Sequence, residues 1–137
     1  MAAEVTSALI PHLVVNGAAK AVEFYQAAFA AEVGGVMPDP TGSGRVMHAH
    51  VKILGADLFL CDDFPEHCGG VARAPQGASP VTLHLCVAIA DAAIAKAAAA
   101  GATVTMPADD MFWGDRYGKV TDPFGHEWSF THPLTAE

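Results

Sequence analysis

The chain has 137 residues, of which 52% are hydrophobic and 16% charged, enough apolar material for one domain with a buried core and too much for a disordered chain. A net charge of −8 argues against nucleic acid and anionic membranes as partners, because both need a basic face to meet their phosphates. No apolar run nears the ~18 residues of a membrane helix, the first residues carry Glu4 and no basic stretch of an export signal, and three cysteines without C-x-x-C spacing fit a reducing, cytoplasmic setting.

Taken in order, a strand is predicted over 9–15, running through Pro11-His12-Leu13-Val14-Val15, with Asn16 placed to cap the helix that follows over 17–30. In that helix Ala21, Phe24, Tyr25, Ala28 and Phe29 recur at helical spacing and form its buried face. Gly34-Gly35 and the turn-rich Pro38-Asp39-Pro40-Thr41-Gly42 confine a second strand to 32–37. The third strand, 45–53, alternates cleanly. Met47, Ala49, Val51 and Ile53 face one way; Val46, His48, His50 and Lys52 face the other. After Leu54-Gly55 a fourth strand, 56–61, turns Leu58 and Leu60 inward and leaves Asp57, Phe59 and Cys61 opposite.

The stretch that follows is rich in proline and glycine and reads as a linker over 63–79. Then the order repeats: strand over 81–87 with Leu83-His84-Leu85, an Ala-rich helix over 89–100 stopped by Gly101, a strand over 102–106, a loop to Arg116, and strands over 117–121 and 126–132 around Pro123-Phe124-Gly125. In the last strand Trp128 and Phe130 point to the core and Glu127, Ser129 and Thr131 away from it. A period this long is one βαβββ module duplicated, not a solenoid of ~20–50-residue repeats. The fold class is therefore α+β: a single domain over 1–137, with module one over about 8–62 and module two over about 80–132, their curved mixed sheet forming a cup. One face of the predicted strands collects His12, His48, His50, Lys52, Asp57, His84, Glu127 and Ser129. A sheet dry on one side and this polar on the other faces either water or a ligand, and the clustered histidines favour the ligand.

The stretch Asp109-Asp110-Met111-Phe112-Trp113-Gly114-Asp115-Arg116-Tyr117 admits two readings. In the structural one, Trp113 packs on the core and Asp115 pairs with Arg116. In the functional one, Trp113 covers the mouth of the cup and Arg116 grips a carboxylate or phosphonate through its planar fork. Glu66-His67-Cys68 has no partner pair at zinc-finger spacing and reads as linker, His126 as part of its turn, and His132 as surface. No G-x-G-x-x-G, P-loop or G-x-S-x-G motif occurs.

The duplicated order, the two strand-opening histidines and the ending Asp122-Pro123-Phe124-Gly125-His126-Glu127-Trp128-Ser129 resemble the vicinal oxygen chelate superfamily of glyoxalase I, bleomycin-resistance proteins, fosfomycin-resistance transferases and extradiol dioxygenases. The stretches PHLVVNGAAKAVEFYQAAF, VMHAHVKI and MFWGDRYGKVTDPFGHEWSFTH resemble its PhnB-like branch. The resemblance implies ligands at His12 and His84, but the positions of the family's metal-binding carboxylates fall on Ser129 and Phe59. Glu127, two residues before Ser129 on the same face, is the available substitute. The residues proposed for catalysis are accordingly His12, His84 and Glu127, and the same three would hold a divalent metal if one binds. His48, His50, Trp113, Arg116 and Ser129 would contact substrate. With both carboxylate positions lost, no tightly bound cofactor is expected, and a dioxygenase is disfavoured because its iron needs a carboxylate. The resemblance leaves three functions open: a glyoxalase-like enzyme moving a proton on a small anionic or carbonyl-containing molecule, a non-catalytic drug or metabolite binder, and a group-transfer resistance enzyme. Exposed sheet edges lead to the expectation of a homodimer.

Overall fold

The computed structural model describes residues 4–135. Its contacts divide the chain into two compact units, 1–76 and 77–137, so the boundary falls inside the predicted linker. Each unit holds one βαβββ module with its own four-stranded mixed sheet, and together they give the α+β class.

The first module runs β1 (His12–Val15), α1 (Ala18–Phe29), β2 (Glu32–Pro38), β3 (Val46–Ile53) and β4 (Ala56–Asp62), then a short 3-10 turn at Pro65–His67. Its strands lie in the order β1-β4-β3-β2, with β1 parallel to β4 and the other pairs antiparallel. A parallel neighbour needs a crossover connection, here one that includes α1. The helix buries Ala18, Ala21, Val22, Phe24, Tyr25, Ala28 and Phe29, with Tyr25 stacked on Phe29 at 5.9 Å. Against it the sheet turns Ala49, Val51, Ile53, Leu58 and Leu60, all buried, as the alternation predicts. The pattern slips where β3 begins: Val46 is buried and Met47 is 40% exposed.

Two local expectations change. Strand β1 begins at His12 instead of residue 9, because Thr6 and Ser7 give their N–H groups to Asp57 at 2.8 and 2.6 Å and draw the preceding segment out of the sheet. Asn16 does not cap α1. Gly17 occupies the cap with a left-handed φ of 99°, and the capping oxygen comes from Asp62 at the end of β4, whose Oδ1 accepts from Gly17 N–H at 2.7 Å and Ala18 N–H at 3.0 Å. Its Oδ2 accepts from Val46 N–H at 2.7 Å. One buried carboxylate thus ties the helix start, β3 and β4 together.

The second module runs β5 (Thr82–Cys86), α2 (Ala90–Ala100), β6 (Thr103–Asp110), β7 (Asp115–Thr121) and β8 (Glu127–Pro133), in the order β5-β8-β7-β6. Again the first strand is parallel to the last. Trp128, Phe130 and Val120 fill the core under Ile94, Ala90 and Ala97 of the helix. Helix and sheet approach closely at Gly118, where a Cβ would lie 2.5 Å from the Ile94 side chain. Strand β6 is longer than predicted, reaching Asp110. Two register shifts, one on each side of Met106, let it pass Pro107, which has no N–H to give a regular ladder.

His132 is not simply a surface residue. It stands in β8 where Asp62 stands in β4, and its Nδ1 accepts from Ala90 N–H at 2.8 Å, so both modules cap their helix from the last strand. The Asp122-Pro123-Phe124-Gly125 turn is fixed by its aspartate: Oδ1 accepts from Phe124 and His126 N–H, and Oδ2 from the Trp128 indole at 2.9 Å.

The two caps give a comparative prediction. Asp62→Ala leaves three backbone donors without their acceptor and should cost about 3 kcal/mol, whereas His132→Ala removes one cap bond and should cost about 1 kcal/mol. Urea unfolding followed by circular dichroism measures both. Equal losses would show that Asp62 does not hold the strands as described.

Candidate functional site

The polar face of the first sheet is organised around Phe59. Strand register sets it beside His12 on β1 and His50 on β3, so the three share one row across three strands. Its ring meets His48 at 4.5 Å, His50 at 5.6 Å and His12 at 6.0 Å, all edge to face, and His12 meets His48 at 5.8 Å. Such contacts set positive ring edges against π faces and fix the rings' orientation. Burial pushes the His12 imidazole below its ordinary value near 6.5, and the positive charges of His48 and Arg73 add to the shift. His12 is therefore neutral at neutral pH.

Arg73 was not among the predicted site residues. It sits in the linker, where Asp63 Oδ2 accepts from the Arg73 and Ala74 N–H groups at 2.8 Å each and bends the chain back toward the sheet. No sequence signal marks it, since only the fold of the linker lets its charge act on His12. Among the described residues it has no ion pair. Arg45, by contrast, pairs with Glu66 and lies 4.0 Å over the Phe64 ring. Arg116, the predicted anion-binding residue, is held by Asp91 at 2.6 and 3.0 Å and by Asp110 at 2.8 Å. Those partners replace the expected Asp115 pairing.

Behind the aromatic row lies a buried ionic group. The Asp57 carboxylate, with no exposed side-chain surface, takes His50 Nε2 at 2.7 Å, Lys52 Nζ at 3.0 Å and the Thr6 and Ser7 N–H groups. Burial alone would raise its pKa, but the donors from Thr6, His50, Lys52 and Ser7 outweigh it and hold the group well below the usual carboxylate range. Beside His50 opens a cleft of about 280 Å³ lined by Gly34, Gly35, Val36, Met37, His48 and His50.

In the second module the equivalent row carries different chemistry. His84 Nδ1 lies 2.7 Å from the Ser129 hydroxyl, the register partner that stands where Phe59 does in the first module. His84 stacks on Tyr117 at 6.2 Å, and Trp113 meets Tyr117 edge-on at 5.9 Å. Trp113 is 52% exposed and gives its indole N–H to Asp115 at 3.0 Å, so it is not the core-packed residue of the structural expectation. Glu127 accepts from the Thr82 hydroxyl and faces Lys119 at 3.4 Å. The Thr82 bond, more than the Lys119 charge, lowers its pKa.

These residues do not fit the family's metal. The carboxylate positions hold an aromatic ring and a hydroxyl, and Glu127 is already bound to Thr82 and Lys119. Among the described residues no group of three His, Cys, Asp or Glu side chains is arranged to hold an ion.

Each module is a βαβββ unit with a histidine on its first strand, and comparison identifies the family. The model of the Glyoxalase/Bleomycin resistance protein/Dioxygenase superfamily matches residues 7–130, and the chain belongs to that superfamily. It is 48% identical over 136 residues to an uncharacterized protein of Mycobacterium bovis, covering 98% of this chain and 88% of that one. An uncharacterized Arabidopsis thaliana protein is 34% identical over 121 residues, 84% of this chain and 71% of its own. The X-ray structure of that plant gene product superposes with a TM-score of 0.71 at 31% identity, covering 92% of this chain and 98% of that one. A PhnB protein from Bacillus cereus shares the fold at 17% identity with a TM-score of 0.71, covering 92% and 99% of the two chains. Among the described residues no helix is long and apolar enough to cross a membrane.

Proposed function

We propose that the polar face of the first module binds a small planar molecule bearing a carboxylate or similar anionic or carbonyl oxygen, without a tightly held metal. One observation carries this reading: in a chain of net charge −8, the charge of Arg73, which has no ion pair among the described residues, acts on His12 at the aromatic patch where His12 and His48 meet Phe59. A guanidinium suits an oxyanion through its planar fork, and the edges and faces of Phe59 and the imidazoles suit a flat ring. The anion would also favour protonation of His12, reversing the depression that its cationic neighbours cause.

A second reading, glyoxalase-like proton transfer of the isomerase or lyase kind, is favoured by the lowered pKa of His12. A neutral imidazole beside a cation can take a proton from carbon next to a carbonyl while Arg73 steadies the developing oxyanion. His84, paired with Ser129, and Glu127, paired with Thr82, have less freedom for that role. The chain is further proposed to act as a homodimer, since each sheet ends in edge strands, β1 and β2 in one module and β5 and β6 in the other.

Benzoate followed by titration calorimetry tests the binding reading. Arg73→Ala should weaken it roughly tenfold, about 1.4 kcal/mol. Affinity should rise as the pH falls from about 7.5 to about 5, because His12 gains its proton only below its lowered pKa while benzoate stays largely ionised. An unchanged affinity in the variant would sink the assignment. The catalytic reading predicts that the protein exchanges the methylene protons of phenylpyruvate with solvent faster than buffer does, by proton NMR, and that His12→Phe removes the excess. No acceleration by the unmodified protein would leave binding alone. Native mass spectrometry should give twice the 14.2 kDa chain with no metal adduct; a monomer would refute the dimer, and a stoichiometric ion the metal-free site.

A further inference from the structure

The His50–Asp57 pair invites a question that the anion site does not answer: what the second nitrogen of His50 is for. Asp57 is ionised and can only accept, so His50 Nε2 must carry the hydrogen between them, 2.7 Å apart. In the neutral ring Nδ1 is then a bare acceptor. Lys52 at 3.0 Å supplies the charge that balances Asp57. Ring orientation, tautomer and local charge are thus all set by groups that are buried or half-buried.

Nδ1 lies against Gly34. A Cβ on that residue would lie 2.3 Å from it, so any larger side chain there would meet the imidazole. Gly34 is also the extra residue of a β-bulge: Val33 pairs with Val51 and Gly35 with His50, leaving Gly34 between them without a partner. Bulges recur beside active sites, where they re-aim the chain. Among the described residues Nδ1 has no hydrogen-bond partner, yet it is not one of the sealed, unsatisfied atoms, which are Asp63 Oδ1 and Thr131 Oγ1. His50 is one of the residues that line the 280 Å³ cleft. The cleft wall offers glycine backbone at Gly34 and Gly35, with the apolar side chains of Val36 and Met37, 48% and 59% exposed, alongside.

We propose that this cleft is a subsite for a hydroxyl on a flat ring, a phenol or enol, whose proton is received by His50 Nδ1. The ring lies against the glycine backbone and the Val36 and Met37 side chains, and the hydroxyl donates to Nδ1. If the proton crosses, the O–H bond breaks with its electron pair left on oxygen, the N–H bond forms on Nδ1, and Asp57 faces the resulting imidazolium. Asp57 is a positioning residue here. This goes beyond the anion reading, because neither His12 nor Arg73 takes part.

Phenol titrated into nitrogen-15-labelled protein, with the His50 ring nitrogens and the Met37 methyl observed by NMR, tests it. In the free protein His50 should show a protonated Nε2 and a bare Nδ1. Phenol should shift both Nδ1 and the methyl along one saturating curve. His50→Phe should weaken phenol at least tenfold. Met37→Glu, at an exposed side chain away from Asp57, should weaken it several-fold in a protein that folds normally, which keeps the test open if the His50 variant does not fold. A hydrogen found on Nδ1 at neutral pH, or phenol binding untouched by a folded variant, would overturn the proposal and leave Asp57 as a staple for Thr6 and Ser7. Benzoate binding that fails while phenol binding holds would remove the anion reading alone.

Discussion

Everything in this molecule depends on the parallel pairing of each module's first strand with its last. That pairing brings His12 beside Phe59 and His84 beside Ser129, and it places the end of the last strand under the start of the helix. The side chain found there, Asp62 or His132, closes the helix. A helix capped from a distant strand cannot form its first turn securely until the sheet has assembled, so local and long-range structure are coupled in both modules.

On that frame the two modules have diverged at equivalent rows. Phe59 and Ser129 occupy the same place, yet one gathers three imidazoles around an apolar ring and the other bonds a single imidazole directly. The diagonal pair behind the row differs in the same way. Asp57 with His50 is buried and shares Lys52, while Glu127 with Lys119 is half-exposed and leans on Thr82. Low dielectric and extra donors make the first pair the more strongly fixed of the two.

Much of the fold was legible because it rests on period and punctuation. The alternation of 47–53, the helical spacing of Ala21, Phe24, Tyr25, Ala28 and Phe29, and the glycines at 55, 101 and 125 each report a local constraint. The side chains His12, His48, His50 and Phe59 could be placed on one face by parity alone. What sequence did not disclose is which charges neutralise one another. Arg116 has an aspartate as its chain neighbour yet bonds to Asp91 and Asp110, and the charge of Arg73 acts on His12 only because Asp63 bends the linker. Caps were misassigned for the same reason: Asn16 is adjacent in sequence, but the oxygen that accepts from the helix start is that of Asp62.

The equivalence of Phe59 with Ser129 and of Asp62 with His132 has a practical consequence. Each module is an internal control for the other, folded in the same tube from the same chain. A substitution whose effect comes from strand geometry should act alike when transplanted to the matching row, and one that acts through chemistry should not. Duplication has thus left a paired experiment inside a single polypeptide, in which architecture is held constant and only the side chains of the working face are varied.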